Sequence, residues 1–144
     1  YTSDIFLSNL SRKQAKLFDG VRCDSGNEFE FIDKLTARYK EFGIDATTKT
    51  IVFSNALDFG KALEILDYCH GKIRCAFGIG TNLTNDTGFK PSNIVMKLSQ
   101  CKMNVNQKWR ECVKLSDDVG KHTGNPQEVQ ACLYELGLSS SPNS

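Results

Sequence analysis

Two short apolar runs in this chain stop abruptly in small polar residues, and those residues are the ones with chemistry to offer. Arg74-Cys75-Ala76-Phe77 runs into Gly78-Ile79-Gly80-Thr81-Asn82-Leu83, and Thr50-Ile51-Val52-Phe53 runs into Ser54-Asn55-Ala56-Leu57-Asp58. Glycines at 78 and 80 remove the side chains that would hold an anion away from main-chain N–H groups. A helix starting just beyond them adds its positive dipole end. Loops of this composition suit a phosphate; the plainer alternative for the glycines is turn chemistry after a strand. A third loop, Asp19-Gly20-Val21-Arg22-Cys23-Asp24-Ser25-Gly26, reads as a short strand with a charged, glycine-containing exit. Arg22 and Asp24 flank Cys23, so the alternation of a strand sets both on one side of that exit.

The elements around these loops place all three on one rim. Phe29, Ile32, Leu35, Tyr39 and Phe42 recur at helical spacing, with Gly43 as stop signal and Asp24, Ser25 or Asn27 available as the cap. Gly43 to Thr48 reads as a loop, and Lys49 to Phe53 as a buried strand. A second helix then runs through Leu57, Ala62, Leu63, Leu66 and Cys69 to Gly71, and Ile73 to Phe77 is the next strand. Two consecutive strand–helix–strand units with short connections imply a parallel sheet with right-handed crossovers, whose ligand loops gather at the C-terminal strand ends.

Beyond residue 90 the pattern changes. The runs Asn93 to Leu98 and Glu111 to Leu115 are strand-like, are separated by a polar stretch, and are expected to pair as an antiparallel hairpin. Asn125-Pro126 is a helix start, with Val129, Cys132, Leu133 and Leu136 as its apolar stripe. The Ser-rich tail from Ser139 to Ser144 is expected to be disordered. The domain expectation is therefore residues 1–90 as α/β strands and helices, 91–138 as hairpin and terminal helix, and 139–144 as tail.

Composition narrows the function classes. The chain has 144 residues, 40% of them hydrophobic, and its 18 basic and 17 acidic side chains nearly cancel. That balance argues against a nucleic-acid face or a polybasic membrane patch. No apolar run approaches the roughly 20 residues needed to span a bilayer, and the expected compartment is the cytoplasm. Six scattered cysteines with no Cys-x-x-Cys, and only His70 and His122 as imidazoles, point to reduced structural thiols and not to a metal site. Tyr1-Thr2-Ser3-Asp4 leads straight into Ile5-Phe6-Leu7 with no initiating Met, and the chain reads as a fragment.

Four motifs together resemble the C-terminal part of nicotinate phosphoribosyltransferase: Asp19 to Gly26, Val52 to Asp58, Phe77 to Leu83, and Lys90-Pro91-Ser92-Asn93-Ile94-Val95-Met96-Lys97-Leu98. They stand in that family's order, and Lys114-Leu115-Ser116-Asp117 with Gly120-Lys121 continues the likeness over nearly the whole chain. The resemblance implies an α/β fold: the C-terminal portion of an irregular barrel with parallel strands, plus an antiparallel hairpin and a C-terminal helix. It implies a transferase of NAD biosynthesis, in which nicotinate attacks phosphoribosyl pyrophosphate to give nicotinate mononucleotide and pyrophosphate. ATP hydrolysis is coupled in the family, and Mg2+ accompanies phosphoribosyl pyrophosphate. The implied partners are the N-terminal remainder of the same enzyme and a second subunit in a homodimer.

Carried over by position, the resemblance sets Arg22 and Asp24 beside the nicotinate and ribose, since a guanidinium pairs with carboxylate or phosphate and a carboxylate holds a ribose hydroxyl. The alternative for that pair is a mutual salt bridge capping the following helix. Ser54, Asn55 and Ala56, with Gly78, Gly80, Thr81 and Asn82, would bind the 5-phosphate mainly through backbone N–H groups; the alternative is loop closure alone. Asp58 orients a loop or caps its helix, with capping preferred. Thr2, Ser3 and Asp4 fall at a site-proximal strand end of the family. Position 55 is Asn where many members are acidic, and position 27 is Asn where Asp is common. No catalytic histidine is assigned: His70 sits at a helix end and His122 in a polar loop. The piece alone is expected to bind and not to turn over. Two further readings stay open, a stand-alone phosphate- or nucleotide-binding module and a related transferase acting on nicotinamide or quinolinate.

Overall fold

Helices α1 (Ser3–Asn9) and α2 (Arg12–Leu17) open the computed structural model, which describes residues 3–92, 94–116 and 121–139. Ser3 and Asp4 thus stand in the first turn of a helix, while Thr2 lies outside the described residues. Asp4 suits the positive end of α1 and reaches Lys34 Nζ at 2.8 Å. A capping box starts α2, with Ser11 Oγ accepting from the Gln14 N–H and Gln14 Oε1 accepting from the Ser11 N–H.

The alternation of strand and helix then follows: β1 (Gly20–Cys23), α3 (Glu28–Glu41), a 3-10 turn (Ala46–Thr48), β2 (Thr50–Phe53), α4 (Phe59–Cys69), β3 (Arg74–Phe77) and a short α5 (Thr81–Thr84). Of the three open candidates, Asn27 is the α3 cap, its Oδ1 accepting from the N–H groups of Phe29 and Glu30. Asp58 caps α4 by accepting from the Lys61 N–H at 2.8 Å, which is the capping reading.

The sheet is parallel, in the order β1-β2-β3. Gly20 belongs at its start because a Cβ there would lie 2.0 Å from the Thr50 carbonyl oxygen. Register rows are Val21–Ile51–Cys75, Arg22–Val52–Ala76 and Cys23–Phe53–Phe77, so the three strands end side by side. One face is sealed: Cys23, Ile51 and Phe53 join Ile32, Leu35 and Tyr39 of α3 and Ile65 and Cys69 of α4 in a single buried cluster. Each fully buried side chain of this size contributes about 1.5–3 kcal/mol. The other face, carrying Arg22, Val52 and Ala76, is open.

The α4 stripe differs from the expectation. Ala62, Ile65 and Cys69 face the core, while Leu63 and Leu66 are 62% and 50% exposed. Successive helical residues are 100° apart, so Ile65 in the core carries Leu66 out of it. Burial also pushes the Cys69 thiol up to about 12, with the neighbouring Cys75 thiol acting in the same direction, and burial raises Tyr39. Below pH 9 the Cys69 thiol is protonated whether the chain is folded or not. Above it the unfolded chain releases a proton that the folded chain retains, so stability is expected to fall steadily from pH 9 towards pH 12. Urea midpoints across that range check this; a flat profile would contradict it.

The chain divides into two compact units, residues 1–92 and 93–144. In the second, β4 (Gln100–Cys101) pairs antiparallel with β5 (Arg110–Glu111), and α6 (Pro126–Glu135) follows, capped by Asn125 Oδ1. A hairpin is present, but residues 94–98 are not in it. Ile94, Met96 and Leu98 are about 80–95% exposed. The ladder stops where the Cys112 N–H reaches the Ser99 carbonyl, and Lys114 instead exchanges both backbone bonds with Thr123 at 2.9 Å. Asn93, Asp117, Gly120 and the tail 140–144 lie outside the described residues. All six cysteines are free thiols. No helix among the described residues is long and apolar enough to cross a membrane.

Candidate functional site

The strand exits carry the candidate residues. Beyond the strands the ladder continues by one bond on each side of β2: the Ser54 N–H donates to the Cys23 carbonyl at 2.9 Å and the Gly78 N–H to the Phe53 carbonyl at 2.8 Å. Those bonds set Asp24, Ser54 and Gly78 in the row after Cys23, Phe53 and Phe77. By strand alternation they fall on the open face of the sheet, the face of Arg22.

At the first exit, Arg22 Nη2 and Asp24 Oδ2 form an ion pair at 2.5 Å, with both side chains more than half exposed. A pair so open adds little stability and can exchange its partners for a ligand. The salt bridge weighed as an alternative is formed, but it does not cap α3, since Asn27 does.

The second exit is the most constrained. Ala56 has φ +46°, a left-handed conformation that costs an alanine about 1–2 kcal/mol. Leu57 is buried beneath it, and Asp58 is engaged as the α4 cap. Ser54 Oγ is buried and has no hydrogen-bond partner among the described residues. An orphaned hydroxyl in such a place costs free energy unless something else engages it. The Asn55 side chain turns away from Ser54, donating through Nδ2 to the Gly26 carbonyl and to Glu28 Oε1, each at 3.3 Å.

At the third exit, a Cβ built on Gly78 would lie 3.4 Å from Ser54 Cβ, so glycine keeps open the space beside that serine. Gly80 precedes α5, and Thr81 and Asn82 form its first turn. Asn82 Nδ2 donates to the Leu57 carbonyl at 2.9 Å, tying the third loop to the second. Among the described residues, the backbone N–H groups of Asn55, Ala56, Gly80, Thr81 and Asn82 have no backbone acceptor, which leaves them as donors. The geometry therefore gathers Arg22, Asp24, Ser54 and Gly78 on one face, and uses the side chains of Asn55 and Asn82 to brace loops.

Sequence reasoning passed over Glu28. Its side chain is 2% exposed, and Oε2 pairs with Lys61 Nζ at 2.9 Å. A Glu in the first turn of a helix reads as a dipole partner in water, and nothing in its local spacing signals burial, since its partners Asn55 and Lys61 are distant in sequence. His70 is the C-cap of α4, and His122 Nδ1 accepts from the Ser116 N–H in the second unit. His70 thus precedes the start of β3, at the end of that strand opposite its exit, and His122 belongs to the second unit. Among the described residues, no group of three or more His, Cys, Asp or Glu side chains converges as a metal cage.

The sequence model of the nicotinate phosphoribosyltransferase (NAPRTase) family matches residues 1–135. The chain is 51% identical over 136 residues to a nicotinate phosphoribosyltransferase of Desulforapulum autotrophicum, covering 94% of this chain and 35% of that protein. It is 45% identical over 139 residues to the one of Chromohalobacter salexigens, covering 96% and 35%. Among solved structures it resembles nicotinate phosphoribosyltransferase from Porphyromonas gingivalis, with TM-score 0.85 and 49% identity over 93% of this chain and 35% of that one. The Vibrio cholerae structure gives TM-score 0.85 and 37% identity over 97% and 34%. The chain thus spans about a third of the length of the relatives it matches.

Proposed function

The chain belongs to the nicotinate phosphoribosyltransferase family, and from that premise we propose that it supplies the substrate-holding rim of such an enzyme. In the proposed reaction the ring nitrogen of nicotinate attacks C1 of phosphoribosyl pyrophosphate, the C1–O bond breaks, and pyrophosphate leaves with nicotinate mononucleotide as the other product.

The observation that carries the proposal is the buried, unpartnered Ser54 hydroxyl beside the space that Gly78 leaves open. Ser54 Oγ donates to the 5-phosphate, and the backbone N–H groups of Asn55, Ala56, Gly80, Thr81 and Asn82 complete its cradle. On the same face, the Arg22 guanidinium pairs with the nicotinate carboxylate and Asp24 accepts from a ribose hydroxyl. The pair exchanges one ion contact for two ligand contacts. What these residues do for the reaction is position the two substrates as charge develops at C1; a protein nucleophile is not needed for that.

Mg2+ is proposed to arrive on the pyrophosphate of the substrate, because the described carboxylates and thiols do not converge on a cage of their own. No residue of this chain is assigned to ATP, whose hydrolysis is proposed to be coupled elsewhere in the enzyme. The remainder of the enzyme and a second subunit are the proposed partners, and the cytoplasm the proposed compartment. Six free thiols fit a reducing environment.

The test is steady-state kinetics of the full-length protein with nicotinate, nicotinamide and quinolinate. Turnover of nicotinate is the expected result, and preference for either other ring would overturn the substrate assignment. Ser54→Ala is expected to raise KM for phosphoribosyl pyrophosphate by about tenfold, the loss of one hydrogen bond to a charged group.

A further inference from the structure

Glu28 is a buried carboxylate to which the proposed reaction gives no part. Its two oxygens divide their partners: Oε2 takes the Lys61 ammonium at 2.9 Å and Oε1 accepts from Asn55 Nδ2 at 3.3 Å. The same amide donates to the Gly26 carbonyl at 3.3 Å. Through the two side chains Glu28 and Asn55, the loop after β1, the first turn of α3, the loop after β2 and the first turn of α4 are fastened together.

This arrangement explains the residue at 55. Both atoms that Asn55 Nδ2 meets are acceptors, so with Glu at position 28 this chain needs a donor at 55, and the acidic residue of many family members would here face a second carboxylate. It also bears on the next residue. Ala56 holds φ +46°, and a non-glycine residue keeps such a conformation only when its surroundings over-determine it. The brace on Asn55 is the adjacent fixed point.

We propose that Glu28 is a positioning residue: acting through Asn55, it holds the Asn55–Ala56 segment so that its N–H groups and the Ser54 hydroxyl meet the 5-phosphate of phosphoribosyl pyrophosphate. The inference rests on the phosphate role proposed above for this loop. Lys61 keeps the Glu28 charge paired while one oxygen stays available to the amide.

The test is a reversal of hydrogen-bond polarity in the full-length enzyme. Asn55→Asp sets two carboxylates against each other and is expected to raise KM for phosphoribosyl pyrophosphate about tenfold or more, with a smaller change in KM for nicotinate. Adding Glu28→Gln supplies an amide that donates to the new carboxylate, and because the Gly26 carbonyl still lacks its donor the double variant is expected to recover part of the loss, lowering KM for phosphoribosyl pyrophosphate at least about threefold from the single variant. If Asn55→Asp does not fold, Asn55→Ser, which removes both hydrogen bonds without adding charge, is measured in its place. An unchanged KM for phosphoribosyl pyrophosphate in the single variant overturns the inference. So does a double variant that regains thermal stability but not that KM, since Glu28 would then be structural only. Ser54→Ala, measured alongside, separates the two failures: if it raises KM while the position 55 variants do not, the phosphate reading stands and the Glu28 inference alone falls.

Discussion

Phe53→Ala is expected to destabilise the protein by about 3–5 kcal/mol, a large part of the 5–15 kcal/mol that holds a typical domain together. Phe53 is fully buried, and its ring stacks on Phe77 with centroids 6.0 Å apart. It is the last residue of β2, in register with Cys23 and Phe77, so a cavity there opens at the junction of core and strand exits. The effect has two parts, the transfer of the ring from water and the void that neighbours fail to fill. Val52→Ala is the control one residue away: on the open face and 39% exposed, it is expected to cost well under half as much. Urea denaturation of the three proteins measures the difference. Equal losses at 52 and 53 would mean that the two faces are not sealed and open as described.

What made β2 legible was local. Thr50-Ile51-Val52-Phe53 is a β-branched and aromatic run between loops, and a helix on either side of it forces parallel pairing. The caps at Asn27, Asp58 and Asn125 were legible for the same reason, since a short side chain reaches only its own next two or three N–H groups. Features that depend on a distant partner were not. Residues 94–98 have the composition of a strand, yet strand propensity without a partner forms no ladder, and the partner backbone at Lys114 bonds to Thr123. In α4 the choice between Ile65 and its neighbours Leu63 and Leu66 turns on a rotation that apolarity alone does not specify. The α2 helix carried a usable sign in Ser11 and Gln14, three residues apart, but its brevity hid it. At the site, the row of Asp24, Ser54 and Gly78 follows from parallel register and was within reach of the sequence. The direction of the Asn55 and Asn82 side chains was not, because each is set by a carbonyl or carboxylate more than twenty residues away. Burial of Glu28 belongs with them.

Gly78→Val is expected to lower kcat/KM for phosphoribosyl pyrophosphate by about a hundredfold or more while leaving thermal stability nearly unchanged, as two charge-assisted phosphate contacts are lost at once. The backbone tolerates the change: Gly78 is not in the left-handed region, its N–H bond to Phe53 is independent of the side chain, and a β-branched residue suits the end of a strand. The site does not tolerate it. The first carbon would already touch Ser54 Cβ at 3.4 Å and the Phe53 carbonyl oxygen at 3.7 Å, and the two methyl groups must go further into the space beside the Ser54 hydroxyl. Gly78→Ala should therefore fall between parent and valine. Gly80→Ala is no neutral control, because Gly80 holds φ −92° and ψ −108°, a backbone that a Cβ disfavours, and its N–H belongs to the proposed cradle. A loss that grows from alanine to valine at 78 while thermal stability is kept would locate the phosphate beside Ser54; losses that only follow a fall in thermal stability would mean that the glycine serves the loop and that no ligand sits between 54 and 78.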